Sequence, residues 1–230
     1  MTAEAFEAWV LHKRPSGDSS LYITFFTRER GILHCLCKGG RTPKKQAILQ
    51  AFTPLWLSVE NRKGRHYMQQ VENNALPLEL KGNRLFAALY INELLYYLLS
   101  PLESQIELFD VYLETLHGLA AAMDNLTIEI LLRRFEWALL LACGQQVSFT
   151  REANSTHLIN SNLNYQFVAN EGFIPANEGY IAGKEILALA QGCFNEVRTL
   201  KVAKFIMRQA IDHLLGGREL KSRALFLIKK

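Results

Sequence analysis

The chain has 230 residues, 49% of them hydrophobic and 21% charged, with a formal net charge of +4. That length admits one large domain or two small ones, and the composition excludes a disordered chain. The uncharged apolar run 137–143 stops at Gly144, far short of the ~18–20 residues a membrane span needs. Glu4 and Glu7, with no basic segment, precede the first apolar stretch, so no signal peptide is expected and the expected location is cytoplasmic. The four cysteines, Cys35, Cys37, Cys143 and Cys193, form no CxxC pair, which fits a reducing compartment and gives no structural zinc site.

In chain order, the first eighty residues read as short strands. Residues 6–13 alternate, with Phe6, Ala8 and Val10 on one side and Trp9 and Leu11 on the other. Residues 21–26 are aromatic and β-branched, 32–37 follow the turn residue Gly31, 52–59 carry an early Pro54, and 65–71 follow Lys63-Gly64. Five short strands at this spacing predict a small barrel of OB-fold size over 1–80. After Pro77 the period changes to that of helices, which assigns 81–230 to a helical domain in an α+β protein. Asn83 is the expected cap of a helix reaching Ser100 before Pro101, Ser104 of the next, and Thr127 of a third. The third helix is apolar on most sides and is expected at the centre of the second domain. Residues 145–180 lose the period and read as a loop-rich insert with one or two short strands, at 165–168 and 173–174. Helix resumes near 181–191, a long helix spans 197–215 before Gly216-Gly217, and a short one is expected over 219–228.

Charge is segregated along this order. Residues 1–81 carry +5, 82–195 carry −7 and 196–230 carry +6. Two basic ends around an acidic middle suit a polyanionic partner. The run Lys38-Gly39-Gly40-Arg41-Thr42-Pro43-Lys44-Lys45 predicts a mobile, extended, cationic loop between strands, able to follow a phosphate backbone. A solvated hairpin loop explains the same residues equally well, and the P-loop spacing is absent. On the long helix, Arg198, Lys201, Lys204 and Arg208 form a stripe with Phe205, beside an apolar side of Leu200, Ala203, Met207, Ile211 and Leu214. Arg218, Lys221, Arg223, Lys229 and Lys230 add to the basic C-terminal end. Arg133-Arg134 lies in the most apolar helix. An arginine bordering an apolar groove suits a peptide that ends in a carboxylate and an aromatic, whereas the residues alone favour an internal pair with Glu129 or Glu136. GxSxG, HExxH, GxGxxG and paired nuclease aspartates are all missing, so no enzyme is predicted. In a strand His34 points away from Cys35 and Cys37, which argues against a shared metal ion.

Short strings in a fixed order then carry a family resemblance. They are Ala8-Trp9-Val10-Leu11-His12-Lys13-Arg14-Pro15, Lys38-Gly39-Gly40-Arg41, Phe52-Thr53-Pro54-Leu55 and Leu89-Tyr90-Ile91-Asn92-Glu93-Leu94-Leu95. Arg133-Arg134-Phe135-Glu136, Gly172-Phe173-Ile174 and Leu215-Gly216-Gly217-Arg218-Glu219-Leu220-Lys221-Ser222-Arg223 follow. Over nearly its whole length the chain resembles the RecO family of bacterial DNA repair proteins. The resemblance implies an N-terminal OB-fold, a helical C-terminal domain and a non-catalytic recombination mediator without cofactor. Such a mediator binds single- and double-stranded DNA, anneals complementary strands, joins RecR, and helps place RecA on DNA coated by single-strand-binding protein (SSB). The basic clusters themselves make Arg14, Lys38, Arg41, Lys44, Lys45, Arg198, Lys201, Lys204, Arg208, Lys221 and Arg223 the candidate DNA contacts. Arg133 stands at the position that the family uses for the SSB tail. Many members carry a four-cysteine zinc module in the insert, but 145–180 holds no cysteine, as in the zinc-free branch. Two rival readings remain at this stage: an RNA-binding OB-fold protein of ribosome or translation biology, and an enzyme, such as a nuclease, with a site in the polar insert.

Overall fold

Side-chain alternation in the first strand decides which way the N-terminal sheet curls. In the computed structural model, which describes residues 4–145, 147–194 and 196–226, β1 (Glu4–Ser16) turns Phe6, Ala8 and Val10 into a barrel core. Leu21, Ile23 and Phe25 of β2 (Ser20–Thr27) and Leu33, Cys35 and Cys37 of β3 (Gly31–Cys37) join them. Leu55, Leu57 and Val59 of β4 (Leu55–Arg62) and Met68 of β5 (Arg65–Asn73) complete the core. Strand order is β1-β2-β3-β5-β4, closed by β4 against β1 and antiparallel except for β3 against β5. Closure removes free sheet edges. The five-stranded barrel expected from the sequence is therefore present.

The basic segment after β3 differs from expectation. It is not an extended mobile loop but a tight turn leading into a short helix, α1 (Pro43–Ile48), with Pro43 in its first turn. Gly39 has φ +63, and a Cβ on Gly40 would lie 2.9 Å from the Cys37 sulfur and 3.1 Å from the Leu21 Cβ, so the chain presses onto the barrel there. Arg41 is tied to the turn between β1 and β2 by its N–H to the Ser19 carbonyl (3.0 Å) and its Nη1 to the Asp18 carbonyl (2.9 Å). Leu49, which follows α1, is buried in the barrel core, and its carbonyl accepts from Lys13 Nζ at 2.7 Å.

Two compact units emerge. One runs to Ala122 and takes back the chain from Leu220; the other spans Met123–Glu219. The sequence division at residue 80 marks the change from strand to helix period, while compactness divides the chain elsewhere. In the first unit α2 (Asn83–Leu98) and α3 (Ile106–Ala121) cover the outer face of β1 and β2. Tyr112 meets Trp9 edge-on at 6.0 Å, and Phe109 meets Phe26 at 5.2 Å. Tyr112 donates to Asn92 Oδ1 (2.9 Å), and the Asn92 amide donates to the Val10 carbonyl (3.4 Å). Glu93 then receives α7 (Ser222–Leu225): its carboxylate accepts from the Lys221 and Ser222 N–H groups (3.0 and 2.8 Å) and the Ser222 hydroxyl (2.5 Å).

The second unit holds α4 (Asn125–Ala142), a three-stranded sheet of β6 (Asn164–Val168), β7 (Gly172–Pro175) and β8 (Ile181–Ala182), then α5 (Gly183–Ala190) and α6 (Val197–Leu215). Trp137 of α4 stacks on Phe149 at 4.4 Å, Phe149 meets Phe173 at 5.6 Å, and Phe167 meets Phe173 at 5.3 Å. This aromatic cluster gives the insert a core of its own. The expected long helix coincides with α6. All three expected caps are displaced. Asn83 is the first residue of α2 after Gly82, Gln105 rather than Ser104 precedes α3, and Asp124 caps α4 by accepting from the Thr127 N–H at 2.7 Å. The expected terminal helix shortens to α7, and residues 227 and 228 of that expectation lie outside the described residues. Among the described residues, no helix is long and apolar enough to cross a membrane.

Candidate nucleic-acid interface

One row of side chains crosses the barrel exterior. The register pairs Arg14 with Tyr22, Tyr22 with Leu36, and Leu36 with Tyr67. Neighbours in register point to one face, and here that face is opposite the core residues Ile23 and Cys35. Cations sit over the rings: the Arg14 guanidinium is 4.8 Å from the Tyr22 centroid, while Lys38 Nζ and the Arg62 guanidinium lie 5.7 and 5.5 Å from that of Tyr67. His34 stacks on Tyr22 at 5.9 Å and shares a 3.0 Å hydrogen bond with the Thr24 hydroxyl. Burial, helped by Arg14, holds the His34 imidazole below its ordinary pKa. The shift favours the neutral ring, which presents a π-face rather than a charge.

Next to this row lies the α1 segment. Lys38, Arg41 and Lys44 are exposed, and Lys45 donates to the Lys38 carbonyl at 2.8 Å. Among the described residues none of Arg14, Lys38, Arg41, Lys44 and Lys45 has a carboxylate within ion-pair distance, whereas Arg28, Arg30 and Arg62 are each paired. The uncompensated charge therefore concentrates beside the aromatic row. Exposed cations with aromatic faces can hold phosphates and stack bases. The sequence reading missed Tyr22, His34, Arg62 and Tyr67. Strand parity was the available signal, because Tyr22 alternates with Leu21 and Ile23 and must face away from the core.

On α6 the structure sorts the predicted stripe. Arg198, Lys201, Lys204 and Arg208 are all exposed, but Arg198 pairs with Glu185, and Lys204 pairs with Glu129 at 2.7 Å. Lys201 and Arg208 have no acidic partner among the described residues. Lys221 and Arg223 belong to the barrel's compact unit and not to that of α6. Lys221 is exposed and Arg223 half-buried; Lys229 and Lys230 lie outside the described residues. Arg133 is not at the surface: it is 4% exposed and pairs with Glu136 (1% exposed) at 2.8 Å, while its neighbour Arg134 is exposed. Its Nε is buried and has no hydrogen-bond partner among the described residues. Cys35 and Cys37 are buried in the barrel, and burial pushes the Cys35 thiol up to about 12. Among the described residues, no three His, Cys, Asp or Glu side chains gather as metal ligands.

A closed five-stranded barrel with an aromatic, cationic exterior, followed by helices, defines an OB-fold protein of the nucleic-acid-binding class. The chain matches "Recombination protein O N terminal" over residues 1–74 and "Recombination protein O C terminal" over residues 80–224, and it belongs to the RecO family. It is 55% identical over 226 residues to the DNA repair protein RecO of Legionella pneumophila strain Paris, covering 98% of this chain and 99% of that protein. It is 38% identical over 236 residues to the DNA repair protein RecO of Psychromonas ingrahamii, covering 100% of both. Family membership places the chain in DNA repair and recombination.

Proposed function

We propose that this chain is a non-catalytic recombination mediator that binds single- and double-stranded DNA, anneals complementary strands and, with RecR, helps load RecA onto SSB-coated DNA in the cytoplasm. The observation that carries this reading is the group of five cations beside the aromatic row of the barrel that have no carboxylate partner among the described residues. Annealing brings two polyanions together. Each binding event gains from counterion release, and the held strands need only positioning, with no bond made or broken. Functionally we divide the chain into the barrel domain, 1–80, and the helical domain, 81–230. Arg14, Lys38, Arg41, Lys44 and Lys45 contact phosphates from the first. Arg198, Lys201, Lys204, Arg208, Lys221 and Arg223 do so from the second; on the α6 stripe Lys201 and Arg208 do so at the least cost, because among the described residues they have no ion pair to break.

Handover from SSB requires holding SSB and DNA at once. We assign the SSB tail to the surroundings of Arg133, whose buried Nε offers a donor that Glu136 does not use. The helix that carries Arg133 is otherwise largely apolar, which suits the terminal phenylalanine of such a tail. The test is annealing of complementary strands that are naked or coated with SSB, the SSB either intact or lacking its last residues. The chain should accelerate annealing with intact SSB and lose most of that effect with the truncated form. Equal rates on both would remove the tail from the mechanism, and no acceleration on naked strands would remove annealing itself.

A further inference from the structure

Phe205 is on the wrong side of its helix for a core residue. At 100° per residue it lies about 180° from the centre of the face that α6 buries, which is made by Ala203, Ile206, Met207, Ala210 and Ile211. It is 37% exposed and meets Tyr180, 54% exposed, in an edge-to-face pair with centroids 4.9 Å apart and planes at 82°. Such a pair occupies only one of its four ring faces. Lys201, one turn before Phe205, and Arg208, nearly one turn after it, lie within about 60° of Phe205 around the helix. These are the two α6 cations of the stripe without an acidic partner among the described residues, while Arg198 and Lys204 are engaged by Glu185 and Glu129. Asp212 ends the stripe.

We propose that Tyr180 and Phe205 form a base-stacking site for single-stranded nucleic acid on the second unit, with Lys201 and Arg208 neutralising the flanking phosphates. The proposal rests on the DNA-binding reading above and deepens it, because it separates a contact to bases from the contacts to backbone. Charge selects the occupant. An aromatic pair bracketed by two cations that lack acidic partners among the described residues repels a basic segment, and a purely apolar partner would leave both charges without use. The cations stand about 10 Å apart along the helix with the ring between them. That spacing suits a chain whose anionic groups recur on either side of a flat apolar group. Stacking on a π-face tolerates every base, so the site carries no sequence preference.

The test uses the full-length chain and two fluorescent oligomers of equal length, oligothymidylate and an abasic deoxyribose-phosphate chain. Phe205→Leu and Tyr180→Leu keep apolar bulk but remove a π-face. Each should weaken oligothymidylate binding about tenfold and leave the abasic oligomer and the salt slope unchanged, whereas Phe205→Trp, which keeps a π-face, should bind both oligomers as wild type does. Lys201→Ala with Arg208→Ala should weaken both oligomers equally and lower the slope. Oligothymidylate affinity equal to wild type in both leucine variants would overturn the proposal. So would a loss confined to an acidic peptide ending in phenylalanine, which would make the pair a peptide site. Failure of the wild type to bind either oligomer is a different result and would remove the DNA-binding reading itself. Should a leucine variant fail to fold, photocrosslinking of 5-iodouracil-substituted oligothymidylate to the wild type decides: adducts on Tyr180 or Phe205 support the site, and adducts on the barrel alone overturn it.

Discussion

Arg133 and Glu136 stand one turn apart on α4, both almost wholly buried and joined at 2.8 Å. A buried pair of this kind carries the cost of desolvating two charges, so removing one partner leaves the other uncompensated. Arg133→Ala should therefore lower stability by about 3–5 kcal/mol, read by urea unfolding. Arg133→Met combined with Glu136→Leu replaces both charges by apolar groups of similar volume and should recover most of that loss. The double variant separates structure from recognition. If Arg133 receives the SSB tail, the stable double variant still fails to bind a labelled tail peptide; if it binds as wild type does, the arginine serves the fold alone. The sequence made the pair legible only as a set of possibilities, since Glu129 and Glu136 are both within reach of Arg133 on one helix. Packing decided between them, because Glu129 is engaged by Lys204.

Elements were easier to read than their ends. The barrel strands and α6 follow from periodicity, which a buried face imposes over many residues at once. Caps failed because any Ser, Thr, Asn or Asp near a boundary can serve: Asp124, three residues before the expected Thr127, takes the α4 cap. The short helix α1 escaped notice because none of its own residues is buried, so it has no apolar period to show. The terminal element α7 depends even more on distant partners. Four residues make a marginal helix, and no side chain of its own caps it. The Glu93 carboxylate supplies that cap from α2. Glu93→Gln keeps one acceptor oxygen and should cost about 1–2 kcal/mol, felt locally. Hydrogen exchange should speed up over 220–226 while the β1–β5 amides stay protected. Equal loss of protection in the barrel would mean that the segment is integral to its core.

At the scale of the whole molecule, the fold redistributes the three charge blocks of the sequence. Lys221 and Arg223 leave the C-terminal block to join the barrel's compact unit, and ion pairs engage two of the four cations on the α6 stripe. Sequence counting of charge therefore overstates what the helical side can offer a polyanion. The barrel should dominate electrostatic binding. Replacing Lys38, Arg41, Lys44 and Lys45 together with alanine should flatten the log–log salt dependence for single-stranded DNA by up to about 3 units and for duplex by up to about 4. Lys201→Ala with Arg208→Ala should remove only about 1–2 units. The fold should tolerate the barrel substitutions, since their hydrogen bonds, such as Arg41 to the Asp18 carbonyl and Lys45 to the Lys38 carbonyl, are at the surface, and each change should stay within about 0.5 kcal/mol. Fluorescence titrations from low to moderate salt, with melting curves of the same preparations, provide the measurement. A larger slope change from the α6 pair than from the barrel quartet would place the principal DNA path on the helical unit. An unchanged slope in the barrel variant with an intact melting temperature would show that its cations are solvated and not bound to phosphate.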